Sequence, residues 1–237
     1  MSDGLIIDQL KKNQILDLLK EGKRVDGRQF DEPRKLTIDI GVIPKAEGSA
    51  RARLGDTEVV AGVKVQPERP FPDTGDKGML ICTAEILPIA HPSAETGPPQ
   101  PPVVELARVT DRGIRESGML DMKQLVLEKD KSVIGIFCDN AVTDHDGNLF
   151  DACSYASTAA INSCKIPKYE MQDEKPVKIE GEFIEPPITT LPVSVTMAKI
   201  GGFILVDPTI EEWGIMDARI TITSNSDGNV VALQKGG

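Results

Sequence analysis

A chain of 237 residues with 40% hydrophobic and 27% charged side chains is long and apolar enough for one large globular unit or two lobes. Its net charge of −10 excludes a protein that coats nucleic acid by overall charge, so any RNA contact must come from a local basic patch or a surface completed by another subunit. No apolar run reaches the roughly eighteen residues of a membrane span, and the charged N-terminus has no signal-peptide pattern.

In chain order, residues 5–20 place Ile6, Ile7, Leu10, Ile15, Leu18 and Leu19 at helical spacing, which predicts an amphipathic helix. RVDGRQFDEPR (24–34) reads as an ordered connector. TIDIGVI is a predicted strand, and SARARLGDTEVVAGVKVQ a predicted hairpin turning at a Gly-Asp step. KGMLICTAEILPI is a further strand. HPSAETGPPQPP (91–102) holds five prolines and is expected to be loop throughout.

The period then becomes helical over 103–117. Leu106, Val109, Thr110 and Ile114 share one side, and Arg108, Arg112 and Arg115 project from the other. Such a stripe suits a polyanion backbone, or else a solvated face paired within the helix to Glu105, Asp111 and Glu116. LVLE and SVIGIFCDNAVT read as strands, followed by the loop DHDGNLFD and a helix from Leu149 to about Asn162. The segment 166–187 is polar and proline-containing, a candidate boundary between lobes. Beyond it come strands punctuated by GG and DG turns.

Three clusters are candidates for chemistry. Asp144, Asp146 and Asp151 can hold Mg²⁺ with help from elsewhere, or Asp146-Gly147 is a turn and Asn148 caps the helix. Asp207, Glu211, Glu212 and Asp217 offer paired carboxylates for acid–base or Mg²⁺ chemistry, or form a solvated turn. The two histidines, His91 and His145, are the sole bases for a Ser-His or Cys-His mechanism. The four cysteines lack CxxC spacing and are expected as buried free thiols rather than zinc ligands.

Six blocks in order, GSARARLGDTEVVAGVK, ELARVTDRGIRESG, DHDGNLFDACSYASTAAI, LPVSVTMAKIGG, LVDPTIEEWGIMDARITI and DGNVVALQKGG, resemble the RNase PH superfamily, most closely the non-catalytic RNase PH-like subunits of archaeal exosomes. The resemblance implies an α+β fold of mixed sheets flanked by helices in two related lobes: 1–28 helix and connector, 29–167 core lobe, 168–237 C-terminal lobe. It implies a further C-terminal helix, which the sequence as given does not include. It also implies an alternating six-membered ring with a catalytic relative, RNA-binding cap subunits, a single-stranded RNA substrate cut by phosphate from the 3′ end, and a cytoplasmic place without membrane attachment or cofactor.

Active relatives hold phosphate with an arginine in a loop at a helix N-terminus and a second arginine ahead of the helix that begins here near Val103. By resemblance the loop falls on Gly147, Asn148, Phe150 and Asp151, with Phe150 at the arginine position and Asp151 repelling phosphate. The second arginine falls in Gln100-Pro101-Pro102, where there is no cation. Asp217 matches the family's acidic position. The expectation is an inactive subunit in which Arg108 and Arg112, with Arg115, contact RNA, and Lys64, Arg69 and Lys77 are weaker candidates. The alternatives are an independently active phosphate-dependent exonuclease clamped by Arg108 and Arg112, and a Mg²⁺-dependent phosphohydrolase.

Overall fold

The computed structural model describes residues 2–173 and 175–237, with side chains described from Leu10 onward except at Glu174. Helix α1 (Ser2–Lys20) buries Ile15 and Leu19 against Ile200, Leu205 and Ile215. Ile6 and Ile7 lie outside the residues whose side chains are described, and Leu10, expected on the same apolar stripe, is exposed.

Strands β1 (Leu36–Ile40), β2 (Gly48–Leu54), β3 (Thr57–Glu68), β4 (Met79–Ile86), β5 (Val126–Glu128) and β6 (Ser132–Asp144) form one six-stranded sheet in the order β1-β2-β3-β6-β4, with β5 on β6. The Gly55-Asp56 step is the two-residue turn of the β2–β3 hairpin, where Leu54 pairs with Thr57. Only β4 runs parallel to its neighbour β6, so the sheet is mixed. Residues 166–187, read as a boundary, contain a largely exposed hairpin of β7 (Ile166–Gln172) and β8 (Lys175–Ile184). Strands β9 (Val193–Ile200), β10 (Phe203–Val206), β11 (Ala218–Ser224) and β12 (Val230–Gly236) make a second, antiparallel sheet ordered β10-β9-β11-β12.

Helices α2 (Pro101–Glu116) and α3 (Leu149–Asn162) pack on each other and on strands of both sheets; a short helix, α4 (Ile210–Ile215), abuts α1. The α3 face is built from small residues, and Ala152, Ala156 and Ala160 are fully buried, so the helix sits close to β2 and β3. The second sheet presents a polar inner surface. Ser194, Thr196, Thr221 and Thr223 are buried, while Val193, Val195, Ile220 and Leu233 are exposed. Those hydroxyls satisfy one another: Ser194 Oγ lies 2.9 Å from both Ser154 Oγ and Thr223 Oγ1, and Thr196 Oγ1 lies 2.8 Å from Thr221 Oγ1. The four cysteines are free and buried.

Candidate functional site

Helix α2 starts earlier than the proline count implies. Pro101 and Pro102 occupy its first turn, behind an extended Gln100. Early helical positions need no N–H partner and proline's fixed φ suits them, so they open the helix instead of ending the loop. Leu106, Thr110, Gly113 and Ile114 are buried, which turns Arg108, Arg112 and Arg115 outward. Arg115 bonds Asp111 by Nε (3.0 Å) and Nη2 (2.9 Å), and donates to the Leu80 carbonyl at 2.7 Å. Arg108 and Arg112 have no hydrogen bond or ion pair with any described residue. They line an open groove of about 500 Å³ together with Glu105, Val109, Asp111, Arg115, Glu116 and Gln234.

The loop after β6 faces inward. Gly147 (φ 90°) allows a close approach to the 207–210 turn, because a Cβ there would meet the Thr209 carbonyl carbon at 2.5 Å. Arg34 reaches into the loop, donating to the Asp146 carbonyl (2.7 Å) and to its carboxylate (3.2 Å). Asn148 stands at the helix start but its side chain does not cap α3, contrary to expectation; the residue is left-handed (φ 46°). Its amide Nδ2 instead donates to Asp151 Oδ2 (2.8 Å) and Asp207 Oδ1 (2.7 Å), bridging two buried carboxylates. Asn148 Oδ1 is buried without a partner among the described residues.

Asp151 accepts from the Thr196 backbone N–H (2.9 Å) and Thr196 Oγ1 (2.8 Å). Burial nonetheless dominates and pushes its carboxyl up to about 7, against the pull of those donors. Phe150 is buried, with its ring stacked on Trp213 at 5.8 Å and the Arg219 guanidinium 4.2 Å above its centroid. The carboxylates that offered a Mg²⁺ alternative therefore diverge: Asp146 pairs with Arg34 and Asp151 turns to β9.

The acids of 207–217 are largely claimed by the N-terminal segment, which sequence reading took for a connector. Arg24 forms a two-point pair with Glu212 (2.9 and 2.6 Å), with both side chains fully buried. Asp207, left-handed at φ 51°, receives Arg34 Nε (2.9 Å), Arg34 Nη2 (2.8 Å) and Arg28 Nη1 (3.1 Å). Burial raises the Asp207 carboxyl, but the Arg34 hydrogen bonds and charge outweigh it and hold it below the usual range. Asp217 is exposed, bonded to Lys12 Nζ (2.8 Å) and the Gly201 N–H (2.6 Å), and is not part of the α2 groove. The Lys12 hydrogen bond lowers its carboxyl.

His145 and Lys64 both have partners within the chain. His145 Nδ1 accepts the Gly147 N–H at 3.2 Å, and burial together with His91 drives its imidazole down to about 4. Lys64 is tied to Glu47 at 2.8 Å. Sequence reading missed Arg219, whose Nη2 pairs with Glu105 Oε1 at 2.7 Å. The signal was in the strand period: in ARITITS, Arg219 alternates in step with Thr221 and Thr223 and so shares their inward face.

Residues 32–167 match the model of the RNase PH, 3′ exoribonuclease family, domain 1, and residues 190–237 match domain 2 of the same family. An exosome complex component Rrp42 from Thermococcus gammatolerans is 48% identical over 237 residues, covering all of this chain and 87% of the relative. One from Methanocella arvoryzae is 43% identical over 232 residues, covering 98% of this chain and 86% of the relative. A chain of the Archaeoglobus fulgidus exosome with RNA bound to the active site superimposes with a TM-score of 0.90 at 47% identity, covering 98% of this chain and 89% of that one. An archaeal exosome core chain gives 0.85 at 44% identity, with 98% and 87% covered. The mixed six-stranded sheet, the antiparallel four-stranded sheet and the helices packed on both are the α+β architecture of this group, and the chain belongs to the RNase PH, 3′ exoribonuclease family.

Proposed function

We propose that this chain is a non-catalytic subunit of an exosome, a ring that degrades RNA from the 3′ end by phosphorolysis, with its lobes divided near residue 167. It shapes the active site of a catalytic RNase PH-like neighbour and holds the RNA strand through Arg108 and Arg112, with cap subunits feeding the strand. The observation that carries this reading is the contrast between α2 and the 146–151 loop. Two exposed guanidiniums, unpaired among the described residues, stand four residues apart on α2, a rise of about 6 Å that suits neighbouring phosphates of one strand.

In the loop, by contrast, the position that the resemblance matches to an arginine carries Phe150, and both it and the following Asp151 are buried. Phosphorolysis joins two anions, and cations must neutralise them in the transition state. Phe150 supplies no charge and Asp151, when ionised, adds repulsion. The retained Asp217 is occupied by Lys12 and serves as an anchor for α1.

The test mixes the purified chain with its catalytic relative and measures phosphate-dependent shortening of a labelled single-stranded RNA. The chain alone is expected to be inactive and to stimulate the relative. Arg108→Glu with Arg112→Glu is expected to leave assembly intact and weaken RNA binding, lowering the salt slope by roughly 1.4, about 0.7 for each lost contact to a single strand. Phosphate-dependent activity from the chain alone, abolished by Asp217→Asn, would sink the reading.

A further inference from the structure

Arg108 has no hydrogen bond or ion pair with any described residue, although α2 carries an acid at helical spacing on either side of it. Glu105 and Asp111 each lie three residues from Arg108, the distance at which Glu and Arg capture one another. Each acid is held elsewhere. Asp111 is taken by Arg115. Glu105 is taken from across the fold, by Arg219 Nη2 at 2.7 Å and Gln234 Nε2 at 2.9 Å.

The Arg219 guanidinium is held in an aromatic and backbone slot that fixes its reach. Its Cζ lies 4.2 Å from the Phe150 ring centroid and 5.4 Å from that of Trp213. On β12, Gly236 stands opposite Arg219 in the strand ladder, and a Cβ there would come within 2.6 Å of the Arg219 Cζ. The glycine thus leaves the space that the guanidinium fills. The side chain is 6% exposed, and its Nη1 is buried with no partner among the described residues, so the stack and Glu105 are what retain the cation.

We propose that Arg219 is a positioning residue for the RNA groove: seated on Phe150, it holds Glu105 away from Arg108 and leaves that guanidinium open to an RNA phosphate. This rests on the reading of Arg108 and Arg112 as strand-binding residues. It gives Phe150 a task in its own right. The ring that stands where relatives hold phosphate is the platform for a cation that acts on the neighbouring helix.

The experiment measures binding of a fluorescent single-stranded oligoribonucleotide to the full chain at several salt concentrations. Arg219→Met is expected to weaken binding roughly two- to fivefold, the range of a partly exposed ion pair. Adding Glu105→Gln to Arg219→Met should restore the affinity of Glu105→Gln alone, an outcome that loss of packing would not produce. A double variant as weak as Arg219→Met overturns the proposal, as does an Arg219→Met that binds like wild type while Arg108→Glu with Arg112→Glu binds weakly.

If Arg219→Met does not fold, Gly236→Ala carries the test, because its Cβ displaces the guanidinium without deleting the charge. The same loss and the same rescue by Glu105→Gln are expected, and unchanged binding by folded Gly236→Ala overturns the proposal. If Arg108→Glu with Arg112→Glu leaves RNA binding intact, the strand-binding reading fails by itself. The positioning inference is then judged by NMR of the Arg108 Nε–H, which must slow its solvent exchange in the 219 or 236 variant as Glu105 captures it. An unchanged exchange rate overturns it.

Discussion

Two sets of arginines in this chain differ in almost everything except residue type. From the segment before β1, Arg24 is buried and paired with Glu212, and Arg34 is half-buried and paired with Asp207. Arg108 and Arg112, on α2, are exposed and unpaired among the described residues. The first set hold the N-terminal segment to the second sheet, and the second set leave their charge available. The comparison teaches that spacing alone does not tell an anchoring arginine from a binding one. What tells them apart is whether a carboxylate is delivered from a distant part of the chain.

The sharpest way to break the comparison is Arg24→Met. It leaves Glu212 buried and uncompensated, and unfolding by urea should show a loss of about 3–5 kcal/mol. A loss below about 1 kcal/mol would place Arg24 with the surface arginines. Next in size is the pH response of Asp151, whose folded carboxyl titrates near 7, above the 3.8 of an ordinary aspartate. The folded state binds this proton more tightly than the unfolded chain. Its stabilising share is therefore full below about pH 4 and lost as pH rises through 7, at up to roughly 1.4 kcal/mol per unit. The stability difference between wild type and Asp151→Asn should fall over that window, and a flat difference would mean that the three donors keep the group ionised.

Smaller still is Asp217→Asn. The pair with Lys12 is partly exposed on both sides, and its loss should cost less than about 1 kcal/mol in thermal unfolding. Smallest is Arg108→Gln with Arg112→Gln, expected to change stability by no more than about 0.5 kcal/mol while RNA affinity falls. A stability loss as large as that of Arg24→Met would erase the difference between the two sets.

Much of the fold is legible from local pattern. The Gly55-Asp56, Gly201-Gly202 and Asp227-Gly228 turns each join the strands that flank them. Helix α3 spans Leu149–Asn162 as its periodicity predicts. The α2 stripe is legible too, because burial of Leu106 and Ile114 on one side dictates where Arg108 and Arg112 point. What local pattern does not carry is pairing across long separations. RVDGRQFDEPR reads as a charged connector, since nothing within it reveals that Glu212 and Asp207 wait 188 and 173 residues away. The same holds for Arg219 and Glu105, and for Asn148, whose cap-like identity is overridden by two buried carboxylates. Pro101-Pro102 shows the reverse case, a local signal whose meaning depends on which side of a helix boundary it falls.

The Asp207 knot also bears on the order in which the chain becomes native. Asp207 lies 179 and 173 residues from Arg28 and Arg34, and closing so large a loop is entropically costly until other contacts have shortened it. During synthesis residues 24–34 emerge long before the turn that receives them, and their guanidiniums stay solvated until the second sheet exists. Residues 24–34 therefore dock only after the turn at 207–212 exists, as a clasp on the second sheet, and a nascent chain released before residue 212 would leave it open.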